Sequence, residues 1–365
     1  MPRGSLANSA CSACFVIFTV LLDHSAGAQA PPPVGEAELE AVMDRLSIRL
    51  PPNVAYHGPV RRLLDTLGRE RCDSKAIAEL GTALERLGYR REAARGHIGF
   101  SKACGGQPDS LRRAANFLAD LNDHQAMIGV ADDLIKLEPF NDNGYFLRAL
   151  ARDRSGQARA AIDDYLTAIE LFPNRQQIAN VSHVAMAANY AKLGQFCDAA
   201  MAVNSWVSIN PVHNDTSQMR AIIGDYTAKG RCPTGAAGGE EVFPLARGGN
   251  VVKLQVTING VRGTFILDTG ATFVSLRQSF ADKAKVAVDQ ESSVRLHTAN
   301  GIVSARRGRA ASIQLRSLVA KDVAIVVQAD AKGAYGEGVD GLLGMSFLSH
   351  FKVSMDTQAL RVSRR

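Results

Sequence analysis

Four positions set a ruler along the first two thirds of this chain. Gly88, Asn122 and Gly156 stand 34 residues apart, and Gly194 follows after a further 38. Seven residues before each mark stand Gly81, Ala115, Ala149 and Ala187, and five after stand Ala93, Met127, Ala161 and Ala199. Seventeen residues after the last three marks stand Pro139, Pro173 and Pro211. From about Glu36 to Lys229 the sequence is rich in Ala, Leu and Arg, with apolar residues at helical spacing. Small residues on both arms of a helical hairpin let the arms approach closely. A proline ends the second arm because it cannot donate the next backbone hydrogen bond. The ruler therefore predicts stacked helical hairpins, although an unrelated helical bundle with the same spacing is the alternative.

A 34-residue period with this pattern resembles the tetratricopeptide repeat. The third copy, Asn143 to Asn174, matches best, with Ala149, Ala161 and Ala168 and then Pro173. The first copy lacks the proline. Most of the family's aromatic positions are replaced, with Tyr165, Tyr190 and Trp206 surviving. In this family the concave face of the array is the usual protein-binding surface. The resemblance therefore implies a protein-binding adaptor, or a device that positions the C-terminal part of the chain.

The cysteines fit the same frame. Cys72 falls at the start of the first helix of copy one and Cys104 near the end of its second, so an antiparallel hairpin makes them neighbours. Cys197 starts the second helix of copy four, and a further helix at about Thr216 to Ala228 would return Cys232 beside it. The expected disulfides are Cys72–Cys104 and Cys197–Cys232, each contributing roughly 3–4 kcal/mol in the chain-entropy model. Four buried free thiols are the alternative.

Export would explain an even cysteine set, and the N-terminus reads as a secretory signal. Arg3 provides a positive start, Cys14 to Leu22 a short apolar run, and Ala26-Gly27-Ala28 a small-residue cleavage site. The expected divisions are a signal over 1–28, a proline-rich linker over 29–35, helical repeats over 36–232, a small-residue linker over 233–240 and a β domain over 241–365. The expected setting is the bacterial periplasm, with membrane anchoring by an uncleaved signal as the alternative. The apolar run is short for a bilayer span.

After the second linker the pattern changes to short β-branched strands: Val251 to Ile258, Phe265 to Leu267, Val294–Thr298, Ile302–Arg306, Ala311–Leu315, Val323–Val327, Val353–Asp356 and Ala359–Val362. The fold class is thus multidomain, all-α repeats followed by an all-β domain. From Arg247 onward 17 Lys and Arg face 9 Asp and Glu, so the basic surplus lies in the β part. That surplus suits acidic partners or a membrane surface. No basic helix interleaved with aromatics and no zinc-finger spacing supports a nucleic-acid partner.

Asp268-Thr269-Gly270-Ala271 directly follows the apolar strand Phe265 to Leu267. Alone it would be an ordinary turn. It is followed by another hydroxyl and by Val274-Ser275-Leu276. Some 70 residues later Gly341-Leu342-Leu343-Gly344 precedes a short apolar helix, Met345 to Phe351. Together these residues resemble the retropepsin-like aspartic proteases, over about Glu240 to Arg365. The resemblance implies that Asp268 is the catalytic carboxylate. Thr269 would bond across a dimer axis, and Gly270 and Ala271 would support the loop. The segment Leu342, Leu343 and Gly344 would pass through that loop. Thr298, Ala299, Asn300 and Gly301 fall where the family has its flap, an ordinary surface hairpin being the alternative. Only one such motif is present, because Asp340 before Gly341 lacks the hydroxyl and reads as a turn residue. The second carboxylate must then come from a second copy, as a C2 homodimer.

Arg306, Arg307 and Arg309 read as a solvated charge cluster. The histidines show no metal-ligand spacing, no glycine-rich phosphate loop follows a strand, and no cofactor is expected. The leading reading is an aspartic endopeptidase acting on a peptide or protein substrate. The alternatives are an inactive binding scaffold, or a repeat protein that uses the β fold only to dimerise.

Overall fold

The computed structural model describes residues 33–232, 239–244, 251–298, 301–331, 334–355 and 358–364. The expected signal over 1–28 lies outside the described residues, as do 233–238 of the second linker and the Ala299-Asn300 tip. The helical part opens with α1 (Glu36–Arg45), α2 (Pro52–Ala55) and α3 (Gly58–Arg69). Four hairpins come next: α4 (Ser74–Arg86) with α5 (Arg90–Ala103), α6 (Pro108–Asp120) with α7 (His124–Leu137), α8 (Asp142–Arg154) with α9 (Ala158–Leu171), and α10 (Val181–Lys192) with α11 (Phe196–Ile209). The helical part ends with α12 (Pro211–Asn214) and α13 (Ser217–Gly230).

The four ruler marks are the hairpin turns. Gly88, Asn122, Gly156 and Gly194 have φ of 86°, 54°, 76° and 73°. Only glycine, and next to it asparagine, enters that left-handed region cheaply. The flanking small residues meet as expected, since Ala115, Ala149, Ala161, Ala187 and Ala199 are all fully buried. Pro139 and Pro173 lie just past α7 and α9, and Pro211 opens α12 after α11 has ended. Asp73 and Asp123 cap α4 and α7 by accepting backbone N–H groups of the first turn. The array is tetratricopeptide-like. Its first and last parts are stapled by Cys72–Cys104 and Cys197–Cys232, with Cα separations of 5.6 and 5.5 Å.

The β part contains β1 (Glu240–Pro244), β2 (Lys253–Ile258), β3 (Val261–Leu267), β4 (Val274–Arg277), α14 (Gln278–Lys283), β5 (Ala287–Val288), β6 (Val294–Thr298), β7 (Gly301–Leu315), β8 (Leu318–Gln328), β9 (Gly341–Leu343), α15 (Met345–Leu348), β10 (Phe351–Met355) and β11 (Ala359–Arg364). Strands β1, β11 and β10 form one small sheet. The larger sheet runs β2-β3-β9-β4-β8-β7-β5, with β6 paired to β7. Strand β1 begins at Glu240, within the stretch expected to be linker. The segments expected at Ile302–Arg306 and Ala311–Leu315 are one strand, β7, held in register by β8 from Ala305↔Gln328 to Leu315↔Leu318.

The later helices and the sheet share one of the apolar clusters. Ile162, Tyr165, Leu166 and Ile169 of α9 pack in one cluster with Phe273, Val294, Leu296, Ala305 and Val326. Helix α9 is consequently buried along nearly its whole length.

The arginine cluster expected to be solvated is a correction. Arg307 is 13% exposed and pairs with Asp163 of α9. Arg309 bonds Asp198 of α11 at 2.5 Å and Asp322 at 2.7 Å. Of the three, Arg306 alone is exposed. Sequence could show a run of cations on an amphipathic strand but not the carboxylates that a distant helix brings to it. Burial pushes the Asp163 carboxyl up, against the pull of Arg307. Burial likewise raises Asp198, against Arg309.

Candidate active site

Asp268 stands at the exit of β3, where the chain leaves the sheet. Its backbone N–H donates to Leu343 O at 3.1 Å, and its Oδ1 accepts from the Gly270 N–H at 2.8 Å. The side chain is half-buried, while Thr269 and Gly270 are exposed. A Cβ at Gly270 would lie 3.1 Å from Asp268 Oδ1, tighter than an ordinary contact.

The paired-apolar segment holds the loop. Strand β9 runs parallel to β3, with Ile266↔Leu342 and Leu267↔Leu343, and antiparallel to β4, with Ser275↔Leu342. The loop from Asp268 to Phe273 therefore leaves on one side of β9 and returns on the other. Met345 N–H donates to Ala271 O at 2.8 Å and Ser346 N–H to Thr272 O at 3.0 Å. Ser346 Oγ in turn accepts from Val274 N–H at 2.9 Å. Asp340 serves the scaffold: its Oδ2 accepts from the Thr264 N–H at 2.9 Å, tying β9 to β3.

Asp268 opens onto a cavity of about 600 Å³. Ile266, Leu342, Val326 and Leu296 supply its apolar lining, and Thr298 lines it from the end of β6. Thr298 and Gly301 form the last described pair of the β6–β7 hairpin, and Thr298 Oγ1 donates to Gly301 O at 2.7 Å. The structure thus brings Asp268, Gly270, Ala271, Leu342 and Thr298 to one cavity. Thr269 faces a second cavity of about 270 Å³, beside Ile178 and Ser205 of the helical part. Leu343 is buried in the β core, and Gly344 lies beneath the loop.

Four polar cavity residues were not assigned to the site from the sequence. Tyr335 Oη and Ser275 Oγ lie 2.5 Å apart on the wall, with Gln328 beside them. Burial pushes the Tyr335 phenol up to about 12, so it stays neutral. Glu170 arrives from α9, and its Oε1 accepts from Thr272 Oγ1 at 2.8 Å. Its signal was present but unread: Asp163, Thr167 and Glu170 make a polar stripe at i, i+4 and i+7 on a helix otherwise apolar enough for a core.

The C-terminal region is a β-sheet fold of the retropepsin-like class, preceded by tetratricopeptide-like helices. A family model described as aspartyl protease matches residues 254–347. Among solved structures, a retropepsin-like aspartic protease from Rickettsia conorii is 27% identical, covers 34% of this chain and 98% of its own, and has a TM-score of 0.27. MamA from Desulfovibrio magneticus RS-1 is similar over 49% of this chain and 98% of its own, at 16% identity and a TM-score of 0.36. EIAV protease in complex with the inhibitor HBY-793 covers 29% of this chain and 91% of its own, at 18% identity and a TM-score of 0.23. No curated protein matches the chain.

Proposed function

We propose that this chain is an exported aspartic endopeptidase that uses Asp268 from each of two copies. The observation that carries the reading is one cavity bounded by Asp268 at its base and by the β6–β7 hairpin at its edge. Peptide hydrolysis needs a nucleophilic water and an electrophilic carbonyl. One ionised carboxylate takes a proton from the water, while a protonated partner donates toward the carbonyl oxygen. Two carboxyl groups about 3 Å apart do not both ionise easily, so their titrations split and belong to the pair. Thr269 and Gly270 are exposed, and both line the cavity beside Ile178 and Ser205 of the helical part. The Thr298–Gly301 hairpin would close over the substrate and exclude water.

Two disulfides suit an oxidising compartment, and no helix among the described residues is long and apolar enough to cross a membrane. The helical array would present a protein partner or substrate to the site on its concave face.

The test is cleavage of a broad peptide library by the wild type and by Asp268→Asn, with sedimentation of the full chain. Cleavage lost in Asp268→Asn and a dimeric wild type are expected. Equal cleavage by both would end the assignment, and a strictly monomeric active enzyme would end the shared pair. A wild type that binds peptides without cutting them would favour the scaffold reading.

A further inference from the structure

The repeat helices fasten both arms of the β6–β7 hairpin. On β6 the Arg295 N–H donates to Thr167 Oγ1 of α9 at 3.0 Å. Thr167 is 1% exposed, and its hydroxyl gives its one proton to Asp163 O at 2.9 Å. Toward β6 it therefore acts as an acceptor, which is what a strand N–H left over by the ladder requires. The Arg295 side chain adds a second hold: Nη1 donates to Pro139 O at 3.3 Å, and the guanidinium carbon lies 6.0 Å from the Phe140 ring centroid. On β7, Ile302 packs against Tyr145 of α8 and Ala168 and Leu171 of α9. Leu296 and Thr298 of β6 line the cavity that Asp268 opens onto, while Thr167 and Ile302 lie outside the described lining. This wall of the cavity belongs to the sheet but stands where the repeat helices hold it.

We infer that Thr167 and Ile302 are positioning residues: through them the repeat helices fix the β6 wall of the cavity, and so set how tightly a substrate is held opposite Asp268. This rests on the peptidase reading of the same cavity. The two contacts differ in kind. Loss of the Thr167 oxygen leaves the part-buried Arg295 N–H without its acceptor. An orphaned strand N–H gains by turning to water, and Leu296 and Thr298 move with it. Loss of the Ile302 side chain removes apolar contact from the β7 arm and orphans no polar group. What the two losses share is the placement of the hairpin arms. A substrate must then order the wall as it binds, so affinity falls while the chemical step is spared.

The experiment uses the full chain as wild type, Thr167→Val, Thr167→Ser and Ile302→Ala. Valine keeps the shape of threonine without the oxygen, and serine keeps the oxygen. Amide hydrogen exchange is followed over Val294–Thr298 and 301–304, with β2 and β3 as the internal reference. Thr167→Val and Ile302→Ala should raise exchange in these segments on the order of tenfold and leave β2 and β3 unchanged, with Thr167→Ser close to wild type. In the same two variants KM for a cleaved peptide should rise on the order of tenfold, with kcat changed by less than about twofold. Unchanged exchange in β6 and β7, or a rise spread evenly over the chain, overturns the inference. So does a local rise that leaves KM and kcat at wild-type values, or a Thr167→Ser that behaves like Thr167→Val. A wild type that cuts no peptide refutes the peptidase reading alone, and the exchange pattern then upholds or overturns the fastening by itself.

Discussion

Gly344→Ala should separate the loop geometry from overall folding. Gly344 has φ of −96°, which alanine adopts freely, so any effect is steric. A Cβ at Gly344 would lie 2.2 Å from Phe273 O and 2.8 Å from Ala271 O, against 3.4 Å for an ordinary contact. Relief needs a movement of more than 1 Å by backbone, not by a flexible side chain. The Ala271 carbonyl is also the acceptor of the Met345 N–H, so moving it strains that bond. Overpacking of about 1–3 kcal/mol plus about 1 kcal/mol for a lost hydrogen bond gives roughly 3 kcal/mol of destabilisation. The displaced residues follow Asp268 by three and five positions, and a 1 Å misplacement of a catalytic group costs on the order of 100-fold. The assay is thermal melting together with peptide cleavage, with Gly129→Ala as control. Gly129 sits in α7 with nothing near its Cβ position, so that change should be neutral or stabilising by up to about 1 kcal/mol. A Gly344→Ala protein that melts and cleaves like the wild type would refute the claim that β9 holds the loop in place.

Two further perturbations address the helical part and its seam with the sheet. Arg307→Leu leaves Asp163 buried without its cation and should cost about 3–5 kcal/mol in denaturant unfolding; Asp163→Leu with Arg307→Leu should recover much of it, and equal losses would count against a buried pair. His97 is 1% exposed, with its Nδ1 2.7 Å from Ser110 Oγ, and burial, aided by Arg113, lowers it to about 4 from the ordinary 6.5. A folded value below the unfolded one means the unfolded chain binds the extra proton. This contribution is therefore whole above about pH 6.5 and is lost as pH falls toward 4, by about 3 kcal/mol. Melting curves across that window should show His97→Asn losing less stability on acidification than wild type, and parallel curves would contradict the assignment.

Part of the basic surplus of the β part is met within the chain. It suggested acidic partners elsewhere, yet Arg307 and Arg309 find theirs in Asp163 and Asp198 of the same chain. The parts on either side of the linker expected over 233–240 share an apolar cluster.

The features legible in the sequence were local or periodic. Hairpin turns need left-handed φ, so Gly88, Asn122, Gly156 and Gly194 mark them at a fixed spacing. Helical hairpins bring their ends together, so the spacing of Cys72 and Cys104, and of Cys197 and Cys232, predicted both pairs. The strand before Asp268 and the Gly341–Gly344 segment could be read because each is a short run with its own steric demands. Only the tertiary structure decided which face of α9 meets the sheet. That face depends on complementarity between residues more than 100 positions apart, such as Glu170 with Thr272 and Asp163 with Arg307. A polar stripe on a buried helix announces that something polar must face it, and the partner is chosen by how the sheet docks.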